Sequence, residues 1–282
     1  MKSRKTISYY FAIISLLLGV GLLSYPTISN MINDRNSSKA IASYQEVMEE
    51  LDDEVYQQEL RSAQKHNQQL AEQGFLAAGV DMEKKDGYKQ YHQRLNLGKD
   101  EMMGIIRIPK IHVRLPIYHT TKPDVISQAI GHYTGSSLPI GGKSTHAILS
   151  GHRGLPSANL FSDLDQLEKG DIFYLDVLHD TLAYQVVMTK TIDPDDASDL
   201  DIIPDKDYVT LLTCTPYGVN THRLLVRGER IPYEVEAEDT SNQVIGSYFY
   251  STTFKQTLCV VSLLCILSVL VFIYRRKRNS SR

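Results

Sequence analysis

The sequence predicts a mainly β fold, a closed or nearly closed barrel with short helices, preceded by a helical segment and flanked by two membrane-spanning helices. Three observations predict it. Short apolar, β-branched runs separated by Gly- and Pro-containing turns recur from Gly104 to Glu229, the texture of a small barrel. Uncharged apolar stretches occupy 7–25 and 257–274 near the two ends. Charge is also segregated: residues 1–25 and 258–282 hold eight Lys or Arg and no Asp or Glu, which leaves 22 basic against 33 acidic residues in 26–257. An acidic middle of that kind is a poor polyanion binder, so nucleic acid is excluded as the main partner.

Residues 1–6 carry Lys2, Arg4 and Lys5 ahead of the first apolar stretch, Ile7–Tyr25. The pattern fits a secretory signal or a retained anchor. The exit reads Ser24-Tyr25-Pro26-Thr27, without a small-x-small cleavage pattern, so an anchor is expected. The second stretch ends in Arg275-Arg276-Lys277-Arg278, the start of a basic tail at 275–282. About 18 residues at ~1.5 Å rise come close to spanning a ~30 Å hydrocarbon core. The positive-inside rule then puts both termini in the cytoplasm and the middle outside, with membrane lipid as a partner.

Residues 26–73 form an amphipathic helical segment, one helix or two. Ile41, Tyr44, Val47, Met48, Leu51, Val55, Tyr56 and Leu60 recur at steps of mostly three or four, and this face is expected to pack on the domain. Residues 74–100 read as a long, flap-like loop. A β-barrel domain follows at 101–235, then a linker at 236–256. Within the barrel, Gly104–Ile111 and His112–His119 are Pro-interrupted strands, and Thr145–Ser150 is a strand ending at Gly151-His152-Arg153-Gly154. Helical patches are expected at Pro123–Ile130 and Ala158–Leu167. Asp171–Leu178 and Thr181–Ile192 read as a hairpin turning at His179-Asp180, and Tyr208–Cys214 and His222–Glu229 as a second hairpin.

Cysteine usage directs attention to the second hairpin. Cys259 and Cys265 lie in the apolar stretch, so the exported region has only Cys214, a thiol with no disulfide partner there. It sits at a strand end, and an in-register hairpin makes Arg223 its lateral neighbour. A guanidinium beside a thiol favours thiolate and can donate paired hydrogen bonds to an oxyanion. His152, in a Gly-flanked turn after a strand, supplies an imidazole for proton transfer. Cys and His together supply nucleophile and proton donor, the minimum for acyl transfer through a thioester. A buried, inert Cys214 is the bland alternative.

Other residues compete or assist. Thr213 and Thr215 flank the thiol, and their hydroxyls either position substrate or serve the strand. Arg227 shares a face with Arg223 as a candidate supporting cation, and Arg153 is another. His146 reads as a packed strand histidine, His222 points away from Arg223, and His119 and His132 are candidates for the site mouth. The acidic run Asp193, Asp195, Asp196, Asp199 and Asp201 lacks EF-hand spacing. It reads as a solvated loop, so no metal site is expected.

The stretch Thr210-Leu211-Leu212-Thr213-Cys214, with Thr215-Pro216-Tyr217-Gly218 and Thr221-His222-Arg223-Leu224, resembles the sortase active-site signature. Gly151-His152-Arg153-Gly154-Leu155-Pro156-Ser157 resembles the histidine loop of the pilus-assembling class C subgroup. The resemblance runs from about Met103 to Arg230, and a carboxy-terminal span fits that subgroup. It implies that Cys214 attacks the Thr carbonyl of an LPXTG-like sorting signal, His152 handles the proton and Arg223 stabilises the oxyanion. It also implies pilin or surface proteins with an acceptor lysine as partners, a Gram-positive source and no cofactor. Class C members carry a lid with an Asp-Pro-aromatic motif. Residues 74–100 contain no proline, and Asp81 or Asp86 would hold the acidic place, Asp81 being preferred. A housekeeping sortase joining proteins to cell-wall peptide, a thiol peptidase and a non-enzymatic assembly scaffold remain alternatives.

Overall fold

The computed structural model describes residues 2–73, 88–98 and 101–233. Asp81, Asp86, the linker at 236–256, the second apolar stretch and the basic tail lie outside the described residues. Two compact units are distinguished among the described residues, 2–32 and 33–233.

Helix α1 spans Lys2–Glu49. Many of its described apolar side chains in the first unit, among them Phe11, Leu17, Leu22 and Met31, are exposed. By length and composition this helix can cross a membrane. The helix runs on from the expected span of 7–25 through Pro26 into the expected helical segment. A proline inside a helix removes one backbone donor without necessarily ending it, and apolar spanning helices tolerate the loss.

In the second unit the helical segment is two helices. Helix α2, Asp53–Gln73, starts where the Asp52 side chain accepts the Glu54 N–H at 2.8 Å, an N-terminal cap with acids in the first turn. Ile41, Tyr44 and Met48 of α1 and Ala63, Asn67 and Leu70 of α2 are buried, whereas Val55 is exposed. Tyr44 Oη accepts from the Leu178 N–H at 2.9 Å and donates to the Met103 carbonyl at 3.3 Å. Asn67 pairs with both backbone groups of Leu138, accepting at 2.7 Å and donating at 3.0 Å. The helices are thus fastened to the barrel by polar bonds as well as apolar burial. A short helix, α3 (Tyr88–Gln93), lies within the stretch expected to be loop. Six residues are too few to show helical periodicity. Its Tyr91 is buried, with Oη 2.9 Å from His132 Nδ1.

Eight strands close the barrel: β1 Met102–Ile108, β2 Val113–His119, β3 Ile130–His132, β4 Thr145–Ser150, β5 Ile172–Val177, β6 Asp180–Ile192, β7 Asp207–Thr215 and β8 His222–Ile231. Their order is β1-β2-β3-β4-β7-β8-β6-β5, closed by β5 on β1. The pairs β2–β3 and β4–β7 are parallel and the others antiparallel. Closure removes every free edge. Ile106, Ile117, Phe161, Phe173, Leu175, Tyr184, Leu211 and Val226 fill the interior, none measurably exposed. Between β1 and β2 the chain makes one 3-10 turn, Pro109–Ile111. The expected helical patches shrink to helix α4, Pro123–Ile126, and a 3-10 turn at Leu164–Gln166. The β5–β6 hairpin turns on Leu178-His179, one residue earlier than expected, with Leu178 at φ 54° and Val177 paired to Asp180.

Candidate active site

The site lies at one end of three adjacent strands, β4, β7 and β8. The β7–β8 hairpin pairs Cys214 with Arg223 directly, flanked by Thr213 with Leu224 and Thr215 with His222. Directly opposite residues have Cβ atoms about 4.5–5.5 Å apart, so the two side chains start within reach of each other. Cys214 is partly exposed. The hairpin loop is shaped by the Pro216 carbonyl, which accepts from both Val219 and Asn220 N–H at 3.0 Å. Arg223 leans toward this loop, Nη1 donating to the His222 carbonyl at 3.1 Å and the Asn220 carbonyl at 3.4 Å.

The histidine arrives from a different direction. Strand β4 runs parallel to β7 and Ser150 pairs with Leu212, so the next residues of each strand, 151–153 and 213–215, advance side by side. Gly151 N–H donates to the Leu212 carbonyl at 3.1 Å. Its carbonyl accepts from the Thr213 hydroxyl at 2.7 Å, and Thr213 is buried. A Cβ on Gly151 would stand 2.7 Å from Ile130 Cδ1 and 2.8 Å from Phe161 Cδ2, so only glycine lets the chain turn this tightly against the core. His152 follows, half-buried, with its carbonyl accepting from Phe161 N–H at 3.1 Å. Burial holds the His152 imidazole below the ordinary histidine pKa, favouring the neutral ring.

Arg153 proves to be engaged on all sides. Its Nη1 donates to Thr215 Oγ1 at 3.1 Å, its Nε to the Ser162 carbonyl at 3.1 Å, and its Nη2 pairs with the Asp165 carboxylate. The guanidinium lies 5.9 Å from the Tyr217 ring centroid. Gly154, at φ +76°, follows it, and its N–H donates to Ser162 Oγ at 3.1 Å. Thr213 and Thr215 therefore both bond to the histidine loop.

Arg227 pairs with Thr210, four positions along β8 from Arg223, roughly 13 Å at ~3.3 Å per residue. It is buried and donates to the Asp199 carbonyl, with the Asp199 carboxylate at 3.8 Å and the Tyr208 ring centroid at 5.3 Å. These contacts place Arg227 at the wall of the Asp193–Asp201 segment rather than beside the thiol. His146 is buried between the Thr210 hydroxyl, 2.7 Å from Nε2, and the Asp201 carbonyl, 2.9 Å from Nδ1. His222 Nε2 lies 3.5 Å from Asp193 Oδ1, away from Arg223 as alternation requires. His119 and His132 do not line the site mouth. Both are buried, His119 between the Glu101 and Arg94 carbonyls and His132 against Tyr91 and Ser137. The roles of Ser162 and Asp165 had no signal in the sequence, because neither belongs to a strand pattern or sits near the thiol along the chain. No group of three or more potential metal ligands clusters among the described residues.

Comparison with known proteins gives a consistent answer. A family model described as "Sortase domain" matches residues 106–231. Sortase C1 from Streptococcus agalactiae is 48% identical with a TM-score of 0.65, covering 70% of this chain and 100% of that one. Sortase C-1 from Streptococcus pneumoniae is 42% identical with a TM-score of 0.62, again covering 70% of this chain and 100% of the other. Sortase D of Bacillus subtilis is 34% identical over 131 residues, 45% of this chain and 63% of that protein, so the match spans just under two thirds of the relative.

Proposed function

Since this chain belongs to the sortase family, in its pilus-assembling class C branch, we propose that it is a membrane-anchored transpeptidase that joins pilin subunits through lysine amines. The observation that carries the reading is the pairing of Cys214 with Arg223, beside a histidine loop bonded to the residues on either side of the thiol. The long apolar helix α1 supports the anchor.

The chemistry follows from the residues. The neutral His152 ring takes the Cys214 proton, and the sulfur attacks the Thr carbonyl carbon of an LPXTG-like signal. The Arg223 guanidinium faces the oxygen as its negative charge develops. His152 returns the proton to the leaving amine as the peptide bond breaks, leaving a thioester on Cys214. A lysine amine from a second subunit then attacks the thioester, loses a proton to His152, and expels the thiolate as an isopeptide bond forms. From the family resemblance alone, Asp81 is the residue we propose for the acidic place of a class C lid motif.

The test incubates the full chain in detergent with a pilin bearing the signal, with and without its candidate acceptor lysine. Covalent multimers that vanish with the lysine support the reading. Transfer only to a short cell-wall peptide amine would replace it with wall anchoring, and release to water alone with a peptidase.

A further inference from the structure

Two hydrogen bonds straddle the catalytic pair symmetrically. Thr213, one residue before the nucleophile, is bonded to Gly151, one residue before the histidine. Thr215, one residue after the nucleophile, is bonded to Arg153, one residue after the histidine. The first is a side-chain bond to backbone in the buried wall of the barrel. The second depends on one guanidinium, which also bonds the Ser162 carbonyl and the Asp165 carboxylate of the same loop further along. The Arg153 side chain is only 8% exposed while its Asp165 partner is 48% exposed, so the bonds to Ser162 and Thr215 are the sheltered arms of this planar fork.

We propose that Arg153 is a positioning residue for the transfer reaction: with Asp165 and Thr215 it clamps the histidine loop to the strand of the nucleophile and so fixes the His152 imidazole relative to the Cys214 thiol. It is not a second oxyanion cation, because each of its three nitrogens is spent on an oxygen of the protein. Without it, His152 is held to β7 only from its N-terminal side, through Gly151. The His152 carbonyl bond to the Phe161 N–H and the Gly154 bond to Ser162 remain, but neither reaches β7, so the loop's carboxy-terminal side can shift relative to the nucleophile's strand. A displacement of ~1 Å at the reacting atoms is enough to cost about 100-fold in rate. A point charge at this position cannot replace the clamp, since one ammonium on a flexible stem does not hold three acceptors set by a planar fork.

This rests on the transfer reaction proposed above, so the experiment has one arm that needs no substrate. The full chain is prepared in detergent with Cys259→Ser and Cys265→Ser, then as Arg153→Gln, Arg153→Lys, Thr215→Val and Arg153→Gln/Thr215→Val. In the first arm, Cys214 alkylation by iodoacetamide is followed against pH. A displaced pH–rate profile in both Arg153 variants supports the clamp. A profile unchanged in Arg153→Gln, or restored by Arg153→Lys, overturns it, the latter because charge alone would then suffice. In the second arm, transfer of an LPXTG-type peptide to an amine is measured. The expected result is a 10- to 100-fold fall in kcat for Arg153→Gln with KM within twofold, no rescue by Arg153→Lys, and a double variant no worse than Arg153→Gln. A raised KM at unchanged kcat would make Arg153 a substrate-binding residue, and additive effects would dissolve the clamp. Failure of the unsubstituted protein to act on the peptide, with displaced alkylation profiles retained, would count against the proposed substrate and leave the positioning role standing.

Discussion

Replacing Thr213 by Val removes one hydroxyl and almost no volume. That hydroxyl donates to the Gly151 carbonyl at 2.7 Å, and Thr213 is 1% exposed. The carbonyl is left without this partner in a place water does not readily reach, at a cost of about 1–3 kcal/mol. For a folded unit of this size each kcal/mol moves Tm by roughly 2–4 °C, so Thr213→Val is expected to melt roughly 2–12 °C lower. Thr213→Ser keeps the donor and loses only a methyl group, and its fall should be clearly smaller. Thermal unfolding of the full chain in detergent, followed by near-ultraviolet circular dichroism, reads both variants. If Thr213→Val melts within a degree of the parent, or Thr213→Ser falls as far, the hydroxyl is not what ties the histidine loop to β7.

Further outcomes follow from the same geometry. Arg223→Lys should lose about 100-fold or more in kcat for transfer, as removal of an oxyanion donor does elsewhere, and an unaltered rate would remove Arg223 from that role. Asn67→Leu strands the buried Leu138 N–H, while the Leu138 carbonyl keeps the Ile140 N–H at 2.8 Å, at a cost of about 1–3 kcal/mol, read as a fall in Tm. Acid should destabilise the barrel through its buried histidines. Burial holds His146 down to about 4 and His132 to about 3. The unfolded chain, with ordinary histidines near 6.5, therefore binds more protons, and stability falls as pH drops from about 6.5 toward 4. Each group contributes about 1.4 kcal/mol per pH unit across that window. His146→Gln should flatten the decline of Tm between pH 7 and pH 5, and an unchanged slope would contradict the assignment.

The β7–β8 hairpin could be read from the chain because its signals are local: two β-branched runs, a Gly- and Pro-containing turn, and a register that places position 214 against 223. The Cys–Arg pair follows from that register alone. The approach of His152 could not be read in this way. It depends on the parallel β4–β7 pairing, which joins segments about 60 residues apart and leaves no periodic trace in either. Motif resemblance supplied what pattern could not. The bonds of Thr213 and Arg153 were illegible for the same reason, since a Thr that braces a loop and one that merely suits a strand look alike in sequence. Arg227 shows the opposite failure. Alternation placed it correctly on the face of Arg223, but four strand residues separate it from the thiol and the buried Asp199 contacts hold it there. Helix α3 escaped because a single buried turn around Tyr91 is shorter than the period used to find helices.

The central claim is that Cys214 carries the acyl group between donor and acceptor. Intact-mass analysis of the full chain, mixed with an LPXTG-bearing pilin in the absence of any acceptor amine, tests it most directly. The account predicts a covalent adduct equal in mass to the pilin cut after Thr, located on Cys214, absent from Cys214→Ala, and discharged when a lysine-bearing pilin is added. Turnover by Cys214→Ala, or an adduct on any other residue, would contradict it.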